Sequence, residues 1–275
     1  MLLFNAYSKS PTTLDEATLR RFIEEIATGR LRTNVIVDRG DRRSLRAVLP
    51  DGRAIVVKLW NLRGARGFVR RVFHRTKGRA EWVVGRHLHQ LGIPAPSPIA
   101  YLTLDPRRCA FHEGVAWEHL EDVQPAAKVL HEAAKSADEA CLKQISANIE
   151  TITEQCLGAG LFDNDHRVSN FLVRSDGTTF RMDFENAALR RGGLSSRDFS
   201  IMLGGLIASY STMVRPRPDT AGSFAADLLL RCRVPAQTRL ITLQRAQAEI
   251  DDWSRKTGIA VKFDLASIVA HCQGS

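Results

Sequence analysis

Cysteine is scarce in this chain of 275 residues: five are scattered at 109, 141, 156, 232 and 272. The count is odd and no Cys-x-x-Cys pair occurs, which excludes a disulfide framework and a cysteine-based zinc site and suits reduced thiols in a cytosolic setting. Long apolar runs are missing too. The longest, Ile201 to Ala208, falls far short of the roughly 20 residues that span a bilayer. The opening Met-Leu-Leu-Phe-Asn-Ala-Tyr is too short for the apolar core of a signal peptide. Internal repeats and low-complexity segments are absent, as are zinc-ligand spacing and an aromatic-rich RNA-binding motif, so positive charge alone argues for nucleic acid. Acidic residues are missing between Lys58 and Glu81. These absences lead us to expect a soluble or peripheral protein.

Present instead are 44% hydrophobic residues, enough for a sizeable core, and a formal charge of +9. That balance calls for an anionic partner: nucleotide, nucleic acid, acidic lipid or phosphorylated sugar. The acid-free stretch carries Arg63, Arg66, Arg70, Arg71, Arg75, Lys77 and Arg79, interleaved with Phe68, Val69, Val72 and Phe73. Such a segment suits an anionic membrane surface, an acidic substrate, or simply a solvated face.

Thr13 with Glu16 three later resembles a capping box, followed by a helical stripe of Leu19, Phe22, Ile23 and Ile26. Three strands are predicted at 33–37, 44–49 and 53–60, with a turn at Pro50-Asp51-Gly52 between the last two. The loop between the first two, 38–44, offers only Gly40 in place of a glycine-rich phosphate loop; its backbone N–H groups, with Arg42 or Arg43, could still meet a phosphate. Lys58 ends the apolar run Ala54-Ile55-Val56-Val57. A helix from Glu81 to Leu91 follows, with Trp82, Val84, Leu88 and Leu91 as core candidates and Gly92 as its stop. Glu81 is either an ion-pair partner for Lys58 or an acid favoured by the helix dipole. A strand pair over 99–120, with a turn at Asp105-Pro106, leads to a hinge at Glu121-Asp122. Leu142, Ile145, Ile149, Ile152 and Cys156 then mark a buried helix. A helix capped by Ser195 or Ser196 follows, with Asp198 either tied to the preceding polar loop or stabilising the helix terminus. Further helices are predicted near 220–230, 238–256 and 264–271.

The densest chemistry lies in Phe162 to Ala187. Asn170 to Val173 and Thr179 to Met182 flank Ser175-Asp176-Gly177-Thr178, a strong hairpin signal. Polar groups crowd both mouths: Asp163, Asp165, His166, Arg167 and Asn170 before it, Asp183 and Glu185 after it. Asp165 and Asn170 are five apart, as in the His-Arg-Asp-x-x-x-x-Asn loop of protein kinases, and Asp183-Phe184 follows where kinases place Asp-Phe-Gly. Phosphoryl transfer needs these types: one carboxylate for the attacking hydroxyl, an Asn and a second carboxylate for Mg²⁺. Arg167 stands two after Asp165, where many kinases keep a Lys beside the γ-phosphate. A metal hydrolase using Asp163, Asp165 and His166 lacks a matching ligand set elsewhere.

These motifs, together with Glu81-Trp82, Leu88 and Leu91-Gly92-Ile93-Pro94-Ala95-Pro96, resemble the bacterial lipopolysaccharide kinases that phosphorylate Kdo or heptose of the inner core. The resemblance covers roughly residues 33 to 205. It implies an α+β, bilobal, protein-kinase-like fold: a helical extension (1–32), a lobe with a small antiparallel sheet and one helix (33–122), and a mainly helical lobe (123–275). It also implies ATP, Mg²⁺ and a lipid-anchored sugar acceptor met at the cytosolic face of the inner membrane; no nucleic-acid partner is expected, and the sequence leaves the oligomeric state open. Lys58 and Glu81 would position the phosphates, Asp165 would act as base, and Asn170 and Asp183 would hold Mg²⁺. Gly40 and the hinge backbone at Glu121 would contact nucleotide. Asp163 stands in place of the kinase His, Glu185 in place of the Gly of Asp-Phe-Gly, and no Ala-Pro-Glu follows, so a peptide-docking platform is not expected. An antibiotic or small-metabolite phosphotransferase shares the Asp-x-x-x-x-Asn, and a kinase-like binding module without turnover would share the fold.

Overall fold

The computed structural model describes residues 2–4, 15–31, 33–62, 69, 76–105 and 107–274. The chain divides into two compact units. The first comprises Met1–Leu120 with Asp183–Asn186, the second Glu121–Met182 with Ala187–Ser275. Thr13, Pro106 and the arginines at 63, 66, 70, 71 and 75 lie outside the described residues.

The first unit is built on a six-stranded antiparallel sheet, in the order β1-β5-β6-β4-β3-β2. Its strands are β1 (Leu2–Phe4), β2 (Asn34–Asp38), β3 (Arg42–Val48), β4 (Ala54–Trp60), β5 (Pro98–Thr103) and β6 (Glu113–Glu118). Side chains alternate across a pleated strand, so β4 buries Ile55, Val57 and Leu59 on one face and carries Val56 and Lys58 on the other. The first face is covered by α1 (Glu16–Ala27), whose Leu19, Ile23 and Ile26 share one core with Leu45, Ile55, Val57 and Leu102. The helix expected as an extension is therefore part of the sheet's own core. Its cap is Asp15, which accepts the Thr18 N–H at 2.9 Å.

The second helix, α2, runs Lys77–Gln90, one turn earlier than the sequence pattern places it. Glu81 therefore sits inside the helix, and the dipole reading of it falls away. Thr76 precedes the helix without a capping side-chain bond. A distant residue supplies one: Glu113 of β6, almost fully buried, accepts the Gly78 N–H at 2.8 Å. The helix also lies very close to the sheet. A Cβ on Gly85 would fall 2.1 Å from Cη2 of the buried Trp117 ring.

The second unit is mainly helical: α3 (Ala126–Ser136), α4 (Glu139–Gly158), α5 (Ser196–Met213), α6 (Pro218–Arg231), α7 (Ala236–Thr257) and α8 (Leu265–Gly274). The stripe Leu142, Ile145, Ile149, Ile152 and Cys156 is buried along α4 as its 3-4-3-4 spacing requires. Strands are short: β7 (Val123–Pro125), β8 (Leu161–Asp163), β9 (Phe171–Arg174), β10 (Thr179–Arg181) and β11 (Ala187–Leu189). The hairpin forms with Thr179 opposite Val173, and Gly177 takes φ 87° at its turn. β7 adds a third strand to it, while β8 pairs with β11. Ser195 caps α5 in a reciprocal box with Asp198, which also pairs with Arg190 at 3.5 Å. Asp198 thus serves its own helix terminus; the loop before the hairpin is tied instead by Ser209, whose Oγ accepts the Val168 N–H at 3.0 Å. Among the described residues no helix is long and apolar enough to cross a membrane.

Gly85→Ala should lower stability by about 1–3 kcal/mol despite alanine's better helix propensity, because the packed indole has nowhere to move. Urea unfolding of the two proteins reads this directly, and equal midpoints would contradict it.

Candidate active site

Two polar clusters stand out, one in each unit. In the first, the alternation of β4 delivers Lys58 to the face served by α2. Its Nζ lies 2.6 Å from Glu81 Oε1 and 3.2 Å from Asp183 Oδ1. Burial opposes the Lys58 charge, yet the two carboxylates outweigh it and its pKa is raised. Glu81 is only 1% exposed. Burial pushes its carboxyl up and Lys58 pulls it back, leaving a pKa of about 7. Asp183 adopts a left-handed φ of 63°, uncommon for a residue with a Cβ, and Phe184 after it is buried against Trp117, ring centroids 6.2 Å apart.

Glu185 completes this cluster. Arg42 approaches it at 2.9 Å, Lys77 at 3.0 Å and the Trp60 indole N–H at 3.2 Å. Burial favours the neutral acid, but Lys77 and Arg42 hold its pKa below the usual carboxylate value. Glu81, Asp183 and Glu185 each offer a carboxylate oxygen within 4.8 Å of the others. Oε2 of Glu81 is buried without a hydrogen-bond partner. Hard oxygen donors of this kind suit Mg²⁺.

The second cluster fixes the 163–170 loop. Asp163 and Arg181 are both fully buried and form an ion pair. Arg181 also donates to His166 Nδ1 at 3.3 Å, to the Asn170 carbonyl at 3.1 Å and to the Met182 carbonyl. Because a guanidinium only donates, His166 must accept at Nδ1 and carry its proton on Nε2, which donates to Thr153 Oγ1 at 3.0 Å. Burial, then Arg181, pushes the His166 pKa well below its ordinary value, so the ring is neutral. The remaining Asp163 oxygen accepts the Asp165 N–H at 2.9 Å, and Asn170 Nδ2 donates to the Asp165 carbonyl at 2.7 Å. Asp165 itself is half-exposed, its Oδ1 3.0 Å from Arg167, which also reaches Glu249 of α7 at 3.3 Å.

The structure thus brings Lys58, Glu81 and Asp183 together in the first unit and Asp165, Arg167 and Asn170 together in the second. Glu121 is exposed beside the unit boundary. Gly40 sits at a tight turn with φ 75°, its N–H 3.2 Å from Asp38 Oδ1. The N–H groups of Arg39 and Asp41 are likewise bonded within the turn. A hydrolase-type metal set at Asp163, Asp165 and His166 is ruled out by the Arg181 guanidinium bonded to Asp163 and His166. Arg181, Lys77, Trp60 and Glu113 were missed as site-building residues. Nothing local marks them, although Arg181 is a charge on a short apolar strand.

A sheet unit holding a strand Lys on a helix Glu, followed by a helical unit with an Asp-x-x-x-x-Asn loop and hairpin, defines the α+β protein-kinase-like fold class. No known family profile matches the chain, and no curated protein sequence matches it. Among solved structures it is similar to WaaP in complex with acyl carrier protein, at a TM-score of 0.60 and 21% identity, covering 94% of this chain and 97% of that one. At that identity the likeness shows the fold.

Asp163→Asn should destabilise the second unit by about 3–5 kcal/mol, since it leaves the Arg181 guanidinium buried without its counter-charge. Denaturant unfolding measures this. Glu81 yields a pH signature. Its folded pKa of about 7 lies above the ordinary 4.5, so between those values the folded state binds more protons than the unfolded one. Its contribution is therefore fully present below about pH 4.5 and is lost as pH rises through about 7. Glu81→Gln should remove that part of the decline in a comparison of unfolding free energy at several pH values; an unchanged slope would refute it.

Proposed function

We propose that this chain is an ATP- and Mg²⁺-dependent kinase that phosphorylates a sugar hydroxyl, heptose or Kdo, of the lipopolysaccharide inner core. The observation that carries the reading is the Lys58–Glu81–Asp183 constellation, at 2.6 and 3.2 Å, on the strand, helix and Asp-Phe positions that phosphoryl transfer uses. The acceptor class is supported by the sequence resemblance, and the likeness to WaaP supports the fold that the reading requires. The acid-free basic stretch supports work at the anionic cytosolic face of the inner membrane, where each cation contributes on the order of 1 kcal/mol.

Bound Mg²⁺ and ATP supply the transferable phosphoryl group, with the metal neutralising its oxygens. Asp183 and Asn170 are the residues that would hold the metal, and Glu81 keeps the Lys58 ammonium charged and aimed at phosphate. Asp165 orients the sugar hydroxyl and takes its proton. Its backbone is pinned on both sides, by Asp163 at the N–H and by Asn170 at the carbonyl, so little ordering remains to be done when the acceptor arrives. Arg167, bonded to Asp165, places positive charge where the transferred group gains negative charge.

The test is transfer of labelled phosphate from ATP to isolated core oligosaccharide, with the product sugar located by mass spectrometry. Asp165→Asn should reduce kcat by on the order of 10²- to 10⁴-fold while ATP binding persists. Failure to label any core sugar would remove the acceptor assignment. Equal turnover by the variant would remove the base.

A further inference from the structure

The proposed kinase reading leaves a physical gap, because the loop that would cradle the nucleotide phosphates has the amides of Arg39, Gly40 and Asp41 already bonded. Its turn, 38–42, spends its amides internally: Arg39 N–H on the Arg42 carbonyl at 2.9 Å, Gly40 N–H on Asp38 at 3.2 Å, and Asp41 N–H on the Arg39 carbonyl at 2.8 Å. The Asp41 carbonyl is likewise taken, accepting the Asn61 N–H at 2.8 Å. A phosphate meeting this turn finds no array of free N–H groups.

Side chains from two directions make good the deficit. Arg42, at the first position of β3, turns inward: its Nη1 is 2.9 Å from Glu185 and 3.6 Å from Asp183. Its neighbour Arg43 turns outward onto Asp38, at 2.7 Å, and over the Phe111 ring. Lys77, the first residue of α2, reaches the other oxygen of Glu185 at 3.0 Å. Lys58 is bonded to Asp183 beside them. Three cations thus converge on two acids at the end of the hairpin, and Glu185, standing where kinases have glycine, is the anchor that gathers two of them.

We propose that Arg42 and Lys77, held in place by Glu185, are the phosphate-binding residues for the β- and γ-phosphates of the nucleotide, replacing the backbone cradle of a glycine-rich loop. This rests on the kinase reading and adds to it. The chemistry is consistent. A guanidinium carries five donors, and the contacts of Arg42 with these two acids run through Nη1, so donors remain for a phosphate oxygen. Fork geometry and fixed charge suit arginine to phosphate, while lysine acts as a point charge. Because both cations already rest on Glu185, they are ordered before nucleotide arrives, which lowers the entropy cost of binding.

The experiment is calorimetric titration of the full chain with Mg²⁺·ATP and, separately, with adenosine. Arg42→Gln and Lys77→Gln should each weaken Mg²⁺·ATP on the order of 10- to 100-fold, with adenosine unchanged. Arg42→Lys, which keeps the charge but loses the fork and safeguards folding, should fall between, and Arg43→Gln should match wild type. Unchanged ATP affinity in Arg42→Gln would overturn the inference, as would equal weakening toward ATP and adenosine, which would mark a structural role. Absence of ATP binding by the wild type would instead sink the kinase reading itself, and this inference with it.

Discussion

A guanidinium with no access to water must find an acceptor for nearly every N–H it owns, and Arg181 shows how much structure that one requirement fixes. Its donors go to Asp163, His166, the Asn170 carbonyl and the Met182 carbonyl. These partners bracket the 163–170 loop and the far strand of the hairpin. Leaving any of them unmade would cost the desolvation of a charged donor, so the loop has little freedom to move. The tautomer of His166 follows from the same constraint, and so does the placement of the Asp165 backbone, since Asp163 uses its other oxygen to accept that N–H. Where protein kinases use a His at this position, here an Asp–Arg pair does the holding.

The first unit solves a different problem, that of keeping carboxylates ionised in a poorly solvated place. Glu81, even with Lys58 beside it, is raised by burial to a pKa of about 7. Glu185 goes the other way because Lys77 and Arg42 each bond to it. Like acids a few ångströms apart are thus tuned in opposite directions by how many cations each can recruit. The helix that carries Glu81 and Lys77 is itself held by Glu113 from β6 and by the contact of Gly85 with Trp117. The charge network and the packing are therefore one construction.

Most of the elements were legible in the residues. The three strands around Lys58, the α4 stripe and the Asp-Gly hairpin were readable because each depends on a local period or turn preference. The start of α2 was not. Its cap is Glu113, some thirty-five residues away in sequence, and no local signal announces a cap delivered by a strand. The sequence leaves two roles open to Asp198, and the capping box with the nearby Ser195 is the one that forms. Glu185 is legible in the sequence as a polar group beside the hairpin and a departure from glycine, but its contacts with Arg42, Lys77 and Trp60 are not.

By itself the sequence determined which residues alternate, which turn and which carry charge, and so it fixed the hairpin, the Lys-bearing strand and the Asp-x-x-x-x-Asn spacing. Only the tertiary structure decided which charges meet. Arg42 and Arg43 are adjacent and chemically alike, yet strand alternation sends one to Glu185 and the other to Asp38. The reason is physical: a pairing between residues more than a hundred positions apart, such as Lys58 with Asp183, is set by how the sheet and helix pack, and no short-range preference encodes it.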